Sequence, residues 1–185
     1  MKSYLSYCLL AVTLAFSSVT QAEGMSGAAS AITRYFDAIK TYDTAIIANM
    51  MHPQALGQFR TTINKALQGE KSDLAKMELL PLFSVASIEE YMQLSDAEAY
   101  KRLNDVVAKA QPQLIDLMKS SNFEVVSEST KEDLVYITYS LTLTIEGQTI
   151  SQDAVQKLKE HDGQWLLMLP SDGEATIAGI ENRYN

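Results

Sequence analysis

Two histidines and one carboxylate within a predicted strand are the side chains best suited, by type, to acid–base chemistry near neutral pH. His52 stands directly before Pro53, and His161 lies in a predicted turn, where we expect it to be solvated. The simpler interpretation of His52 is a residue suited to the start of a helix. Because the two histidines are far apart along the chain, the sequence predicts no metal site.

Asp153 is the one carboxylate with a catalytic case that falls inside a predicted strand, away from the turns. Ser151, Lys157 and Lys159 share its predicted face of that strand, which is typical of a surface exposed to water. Asp153 and His52 are therefore the candidate catalytic residues. Neither belongs to a Ser-His-Asp order, a phosphate-binding loop or a pair of carboxylates.

Aromatic side chains are the second group of candidates. Tyr35, Tyr91 and Tyr139 fall at core-facing positions of predicted elements, and Trp165 lies in a predicted apolar strand. A buried tyrosine needs a partner for its hydroxyl, and a cavity offers room for one. These four side chains are candidates for lining a ligand pocket, with ordinary core packing as the competing interpretation.

A predicted antiparallel sheet must position these residues. Strict alternation of apolar and polar residues over 134–145 indicates a long strand with two different faces. Further strands are predicted at 123–129, 148–160 and 164–169, with a bulge expected in the strand from 148. The polar face of the long strand is a candidate surface for a protein partner or a second copy. Its candidate residues are Tyr136, Thr138, Ser140 and Thr142.

The preceding part of the chain shows the helical period, and we expect it to pack on the apolar face of the sheet. Capping-box patterns begin two of the helices, Ser87 with Glu90 and Ser95 with Glu98. Residues 80–85 are expected to be a buried connection, and the tail after Ser171 a single helical turn. The order predicts an α+β fold, with N-terminal helices packed on a C-terminal antiparallel sheet of about four strands. The other helices are predicted at 28–41, 44–51, 53–68, 72–79 and 96–119, the last kinked or restarted at Pro112.

The first 22 residues have the parts of a cleavable secretory signal peptide: Lys2, an apolar run, and Thr20 and Ala22 before the cut. The apolar run is shorter than the roughly 20 residues that span a bilayer. We therefore expect a periplasmic or secreted protein whose residues 23–185 form one domain. The competing interpretation is an uncleaved N-terminal anchor.

Charge and cysteine content exclude several classes of function. Cys8 is the one cysteine and leaves with the predicted signal, so we expect no disulfide and no cysteine-based site. The chain has a net charge of −8 and shows no Lys/Arg cluster. It therefore lacks the electrostatic attraction that drives binding to nucleic acids or to anionic membranes.

Two stretches resemble the NTF2-like superfamily, the cone-shaped α+β fold of nuclear transport factor 2, ketosteroid isomerase and SnoaL-type cyclases. Tyr35-Phe36-Asp37-Ala38-Ile39 through Met51-His52-Pro53 resembles the paired first helices and the following His-Pro. Asp162-Gly163-Gln164-Trp165-Leu166-Leu167-Met168 resembles the closing strand. The resemblance covers residues 30–60 and 123–170, and exported members without an assigned function look nearest.

The resemblance and the residues together leave three hypotheses. We favour an exported, non-catalytic binding domain that holds a small apolar ligand between sheet and helices, with neither cofactor nor metal. The second is a protein-interaction or homodimerisation domain that uses the polar face of the sheet. The third follows from the isomerase branch, where a strand aspartate acts as a base beside a tyrosine. It implies a cofactor-free isomerase or lyase that uses Asp153 with Tyr136 or Tyr139.

Overall fold

The computed structural model describes residues 26–145 and 147–184, which form eight α-helices, one short 3-10 helix and four β-strands. Seven helices precede the sheet and one follows it, so the predicted α+β fold is confirmed. The helices are α1 (Gly27–Thr41), α2 (Thr44–Asn49), α3 (Pro53–Gln68), α4 (Ser72–Leu79), α5 (Ile88–Gln93), α6 (Asp96–Ala110), α7 (Pro112–Lys119) and α8 (Ser171–Tyr184).

The strands form one antiparallel sheet in the order β1-β2-β3-β4. Asp162 and Gly163, between β3 and β4, both have positive φ, the backbone of a tight hairpin that follows the strand twist. β3 pairs with β4 over its last four residues alone, because β4 is short. The strands are β1 (Asn122–Lys131), β2 (Leu134–Ile145), β3 (Gln148–His161) and β4 (Gln164–Leu167).

The central strand β2 has the two faces that its sequence predicts. Val135, Ile137 and Tyr139 belong to the core or pack against it, beneath the helices. The alternate residues, from Tyr136 to Thr144, point to the opposite face. Cross-strand partners in β3 follow the same alternation, since directly paired residues share a face.

The sheet, one connection and the tail each differ from the predictions in one detail. The bulge lies in β1, between Val125 and Ser127, whereas β3 pairs with β2 without interruption. Residues 80–85 include a 3-10 helix at Leu80–Phe83, which fits a proline within a short apolar run. The tail forms the 14-residue helix α8 rather than one turn, anchored by the buried Ile177 and Tyr184.

Polar side chains fix the helix starts. The hydroxyls of Ser26, Ser87 and Ser95 each accept a hydrogen bond from a backbone N–H three residues later. The Glu90 carboxylate accepts a hydrogen bond from the N–H of Ala86 at 2.8 Å. In the predicted capping box this bond would come from the N–H of Ser87, one residue later. Glu98 binds Arg102 instead, and the second box is half formed.

The tightest packing lies at the end of the sheet that we call the base, defined by Val135, Ile137, Leu158 and Leu167. These four side chains are at most 3% exposed. Small residues on the first turns of α1, beginning with Ala28, allow this helix to approach the sheet closely. The N–H of His52 donates to the Leu167 carbonyl at 2.8 Å, which ties the start of α3 to β4.

Within the described residues, no helix has the length and apolar character needed to cross a membrane. The predicted signal peptide at 1–22 and Cys8 lie outside the described residues.

Candidate ligand-binding site

The helix-facing row of β2 becomes more exposed from one end of the strand to the other. Ile137 is fully buried, Tyr139, Leu141 and Leu143 are half-buried, and Ile145 is 42% exposed. The helices therefore seal the base of the sheet and leave its opposite end partly open. We call this open end the mouth, defined by Tyr35, Tyr100, Tyr139, Leu141 and Leu143.

Helices α1, α6 and α7 surround the mouth, and few residues of α6 and α7 are buried. None of the eight residues of α7 is fully buried, although this helix contacts α1 and β2. In α6, Ala99 is the one fully buried residue. Pro112 begins α7 and separates it from α6, because a proline cannot continue the preceding helix. Ala110 is exposed at this break.

Aromatic rings pack on one another beside the mouth. Phe36 of α1 stacks on Phe123 of β1, with ring centroids 3.9 Å apart. Tyr139 meets both rings, at 4.9 Å from Phe36 and 5.2 Å from Phe123. These contacts form a continuous aromatic surface that joins α1 to the sheet.

Tyrosine hydroxyls supply the polar character of the mouth. Burial raises the pKa of Tyr35 far above its usual range, and the nearby Tyr100 and Tyr139 add to this shift. Burial also raises the pKa of Tyr139, and the Asp172 carboxylate contributes. No other described residue hydrogen-bonds the hydroxyl of Tyr35 or of Tyr139. Both phenols thus stay protonated and keep a hydrogen-bond donor available.

The mouth therefore combines an apolar aromatic surface with uncharged hydroxyl donors. Such a lining suits a ligand with an apolar body and a neutral acceptor, such as a carbonyl or an ether oxygen. An anionic group is disfavoured, because Asp172 lies near Tyr139 and the chain is acidic overall.

The structure places the other two predicted pocket residues elsewhere. Tyr91 of α5 is completely buried, against Phe83 at 4.7 Å between centroids. Trp165 of β4 lies over Gly27, the first residue of α1. Tyr35 is eight residues further along α1, about 12 Å along the helix axis. Tyr35 and Tyr139 are thus brought together, and Tyr91 and Trp165 lie away from them.

Tyr91 belongs to a buried polar cluster with Arg60 and Asn64 of α3. The Arg60 Nη2 donates to the Tyr91 carbonyl at 2.8 Å, and the guanidinium carbon lies 4.0 Å from the Tyr91 ring centroid. Burial raises the pKa of Tyr91 to about 12, against the opposing effect of Arg60. Among the described residues, Arg60 Nη1, Asn64 Oδ1 and the Tyr91 hydroxyl are buried without partners. Such atoms are the usual sites of ordered internal water.

His52 caps α3, and its ring contacts that of His161. Its Nδ1 accepts a hydrogen bond from the N–H of Gln54 at 3.0 Å, which confirms the helix-start interpretation. The ring centroids of His52 and His161 are 5.3 Å apart. The two histidines are far apart along the chain, but they are close in space. The β3–β4 hairpin brings His161 to the start of α3, so the argument from their separation along the chain was wrong. Burial lowers the pKa of His52, as do His161 and Lys159.

Asp153 lies on the polar face of the sheet, opposite to the mouth. It is exposed, as expected, and pairs with Ser140, whereas Tyr139 pairs with Ala154 on the helix-facing side. The sheet itself therefore separates Asp153 from the hydroxyl of Tyr139. His52 is at the base, so the structure does not unite the candidate catalytic residues.

The polar face carries its own hydrogen-bonded hydroxyl cluster. The Ser151 hydroxyl lies 2.8 Å from that of Ser140 and 3.1 Å from that of Thr142. Tyr136 and Thr138 of the same face are half-buried. The four predicted surface residues Tyr136, Thr138, Ser140 and Thr142 thus share one face, and their role in binding a partner stays a prediction.

The sequence did not predict a groove of about 480 Å³ where α4 and the start of α5 meet. Met77, 69% exposed, forms part of its wall. The nearby sequence signals are the capping serines Ser87 and Ser95 and the proline Pro81. They indicate that the chain turns here, but they do not indicate a groove. The groove is lined by Lys76, Met77, Leu80, Ala86, Ser87, Ile88 and Glu89.

In the described part of the chain, no group of three or more His, Cys, Asp or Glu residues is arranged to hold a metal ion. The sequence matches no protein-family model and no curated protein, and no solved structure matches the fold. The function must therefore be argued from the mouth itself.

Proposed function

We propose that this protein is an exported, non-catalytic binding domain that holds a small, neutral, mainly apolar ligand in the mouth. The observation that carries the proposal is the gradient of burial along β2, from Ile137 to Ile145. A core built for stability alone would cover this whole row, because each half-buried apolar side chain forgoes part of the about 1.5–3 kcal/mol that full burial contributes. The exposed end instead carries tyrosines with available donors.

The ligand is proposed to lie with its apolar body on the ring of Phe123, which Phe36 supports from within the core, and along Leu141. Its acceptor group receives a hydrogen bond from the hydroxyl of Tyr35 or of Tyr139. The hydroxyls of Tyr35 and Tyr139 have no hydrogen-bond partner among the described residues, which supports this orientation. A buried donor without a partner is costly, so a ligand that supplies an acceptor is favoured.

We also propose that the chain is an NTF2-like protein and that it is exported. A four-stranded antiparallel sheet packed against preceding helices supports the first statement. The signal-like first 22 residues support the second. Expression of the whole chain in bacteria, followed by intact-mass measurement of the periplasmic fraction, tests export. The expected species begins at Glu23, and full-length protein confined to the cytoplasm would contradict the proposal.

A neutral fluorescent probe tests the proposed site. N-phenyl-1-naphthylamine is titrated into the purified protein, and we expect saturable binding of one probe per chain. Leu141→Trp fills the mouth and should weaken binding about tenfold, equal to about 1.4 kcal/mol. Thr142→Trp places the same side chain at the adjacent residue, on the polar face, and should leave binding unchanged.

The absence of saturable binding, or equal loss in both variants, would show that the mouth is not the site. Native mass spectrometry of gently purified protein supplies a second measurement. A retained mass of a few hundred daltons that disappears in Leu141→Trp is the expected result.

A further inference from the structure

β3 has a long free edge beyond the point where β4 ends. It spans 14 residues and pairs with β4 only over residues 158–161. From 148 to 156, β2 lies on one side of β3, and no described strand lies on the other. A row of unpaired backbone groups of this kind is a template for a further strand.

The register shows which backbone groups are available. The carbonyl of Lys157 accepts from the N–H of Met168 at 2.9 Å, so the backbone of Lys157 points away from β2. In an antiparallel pair, alternate residues direct their N–H and C=O groups to opposite sides. The backbones of Thr149, Ser151, Asp153 and Val155 therefore also point outward.

The opposite edge of the sheet is protected, and this one is not. The outer edge of β1 carries a bulge between Val125 and Ser127 and the charges of Glu124, Glu128 and Lys131. Bulges and charges are the devices by which edge strands avoid pairing. The free stretch of β3 has a regular register, and Asp153 is its one charged residue. Ile150 and Val155 are 51% and 50% exposed there.

We propose that two copies of the chain join by antiparallel pairing of their β3 edges, around a two-fold axis at Gln152. In this register Ser151 lies opposite the partner's Asp153, and Thr149 lies opposite the partner's Val155. Each carboxylate thus meets a hydroxyl rather than the other carboxylate, which matters in a chain of net charge −8. The pairing also covers Ile150 and Val155.

A second copy fits this edge better than a foreign peptide does. Peptides that extend a sheet obtain specificity from pockets that accept their side chains. The groove described above lies on α4 and α5, away from β3. A two-fold arrangement needs no such pocket, because the same edge supplies both partners. Gln152 and Ile150 lie across from Leu141 and Leu143 of the mouth. The pairing nevertheless uses the outward backbone groups of β3 and no residue that defines the mouth, so its tests do not depend on the proposed ligand.

Cysteine cross-linking tests the register. Cys8→Ser makes an introduced cysteine the only one in the chain. At the two-fold axis, Gln152→Cys forms a non-hydrogen-bonded pair with Cα atoms about 4.5 Å apart. This separation is within the range of about 4.4–6.8 Å that a disulfide spans. We expect mild oxidation to give a covalent dimer with Gln152→Cys and none with Val126→Cys, a control at an exposed position on β1.

Sedimentation equilibrium tests the pairing itself. Val155→Pro removes an outward N–H from each copy, and Ile150→Lys adds a charge at the edge. We expect each to raise the dimer dissociation constant about tenfold or more, about 1.4 kcal/mol. Thr130→Pro is the matched control. Thr130 of β1 lies opposite Val135, whose backbone groups point to β3. The N–H of Thr130 therefore points outward from β1, and its loss breaks no hydrogen bond within the sheet. This variant should dimerise like the unchanged chain.

A chain that stays monomeric at its highest soluble concentration overturns the proposal, even if it binds foreign peptides along β3. Equal cross-linking of the two cysteine variants does the same. If circular dichroism shows that Val155→Pro does not fold, Ile150→Lys decides the question, since Ile150 is half exposed. An undiminished dimer in Ile150→Lys contradicts the pairing.

Discussion

The base and the mouth are two ends of one strand with opposite packing. At the base, Val135 and Ile137 are buried in the hydrophobic core, to which α1 and α3 also contribute. At the mouth, Tyr139, Leu141 and Leu143 have the same apolar alternation and stay half exposed. The strand is continuous, so the difference arises from the elements that cover it.

Small residues and short connections close the base. The alanines of α1 allow close approach, and backbone hydrogen bonds link the start of α3 to β4. At the mouth, the stacked rings of Phe36 and Phe123 separate α1 from the sheet. Pro112 divides the helical segment there into α6 and α7. The comparison indicates that apolar burial, and the stability that it contributes, is concentrated at the base rather than at the mouth.

The largest expected effect tests this division directly. Ile137→Ala should lower the free energy of unfolding by about 2–5 kcal/mol, because it leaves a cavity in a fully buried site. Leu143→Ala should cost about 1 kcal/mol, because a half-exposed side chain has less burial to lose. Urea denaturation measures both. Equal losses would mean that the mouth is packed as tightly as the base.

The next effect measures how closely α1 approaches the sheet. A Cβ added to Gly27 would lie 2.9 Å from Cδ1 of Trp165, so Gly27→Ala should cost about 1–3 kcal/mol through displacement of the ring. Gly57, within α3, has open space at the same position. Gly57→Ala should instead stabilise the protein by about 0.5–1 kcal/mol. Thermal unfolding distinguishes them, and a stabilising Gly27→Ala would contradict a close approach.

The base should also respond to pH through His52. Its folded-state pKa is lowered by burial, by His161 and by Lys159, against the opposing Asp133. The unfolded chain therefore takes up the proton first, and stability should fall as the pH drops below about 6.5. Protonation of Nδ1 would remove the acceptor that caps α3.

His52→Asn is the control for this pH dependence. Asparagine keeps an N-cap acceptor and does not titrate. Urea denaturation at pH 7.5 and at pH 5.5 should show a smaller difference for the variant than for the unchanged chain. The same difference in both would assign the pH dependence to other groups.

The smallest expected effect concerns the mouth. Tyr35→Phe should change the free energy of unfolding by less than about 0.5 kcal/mol, because no described residue bonds its hydroxyl. Tyr184→Phe removes a hydroxyl that donates to Glu78 at 2.6 Å and should cost about 1 kcal/mol. Tyr35→Phe should weaken ligand binding all the same. A stability loss equal to that of Tyr184→Phe would indicate a structural role for Tyr35.

The sequence predicted periodic elements well. The bounds of β2 and α4 and the start of α5 agree with the structure. Alternation marks β2 directly, and the capping serine Ser87 marks the start of α5. α8 was underestimated, since Gly173 and Gly179 weaken its helical pattern and only tertiary packing of Ile177 and Tyr184 holds it. The β1 bulge is a property of pairing between two strands, and one strand's pattern does not reveal it.

The candidate site was predicted in part for a similar reason. Periodicity shows which face a residue occupies, and it placed Tyr35 and Tyr139 on surfaces that meet. It does not show depth along an element, so it grouped Tyr91 and Trp165 with them. The contact of His52 with His161 depends on how α3 meets the β3–β4 hairpin, which no local pattern encodes.

The close contact of Trp165 with Gly27 has an optical consequence. Trp165 is the one tryptophan of the chain, and its indole lies against the first residue of α1. Its emission wavelength therefore reports whether the start of α1 is seated on β4. Red-shifted emission before the loss of far-ultraviolet ellipticity would reveal that α1 lifts from the sheet while the helices persist.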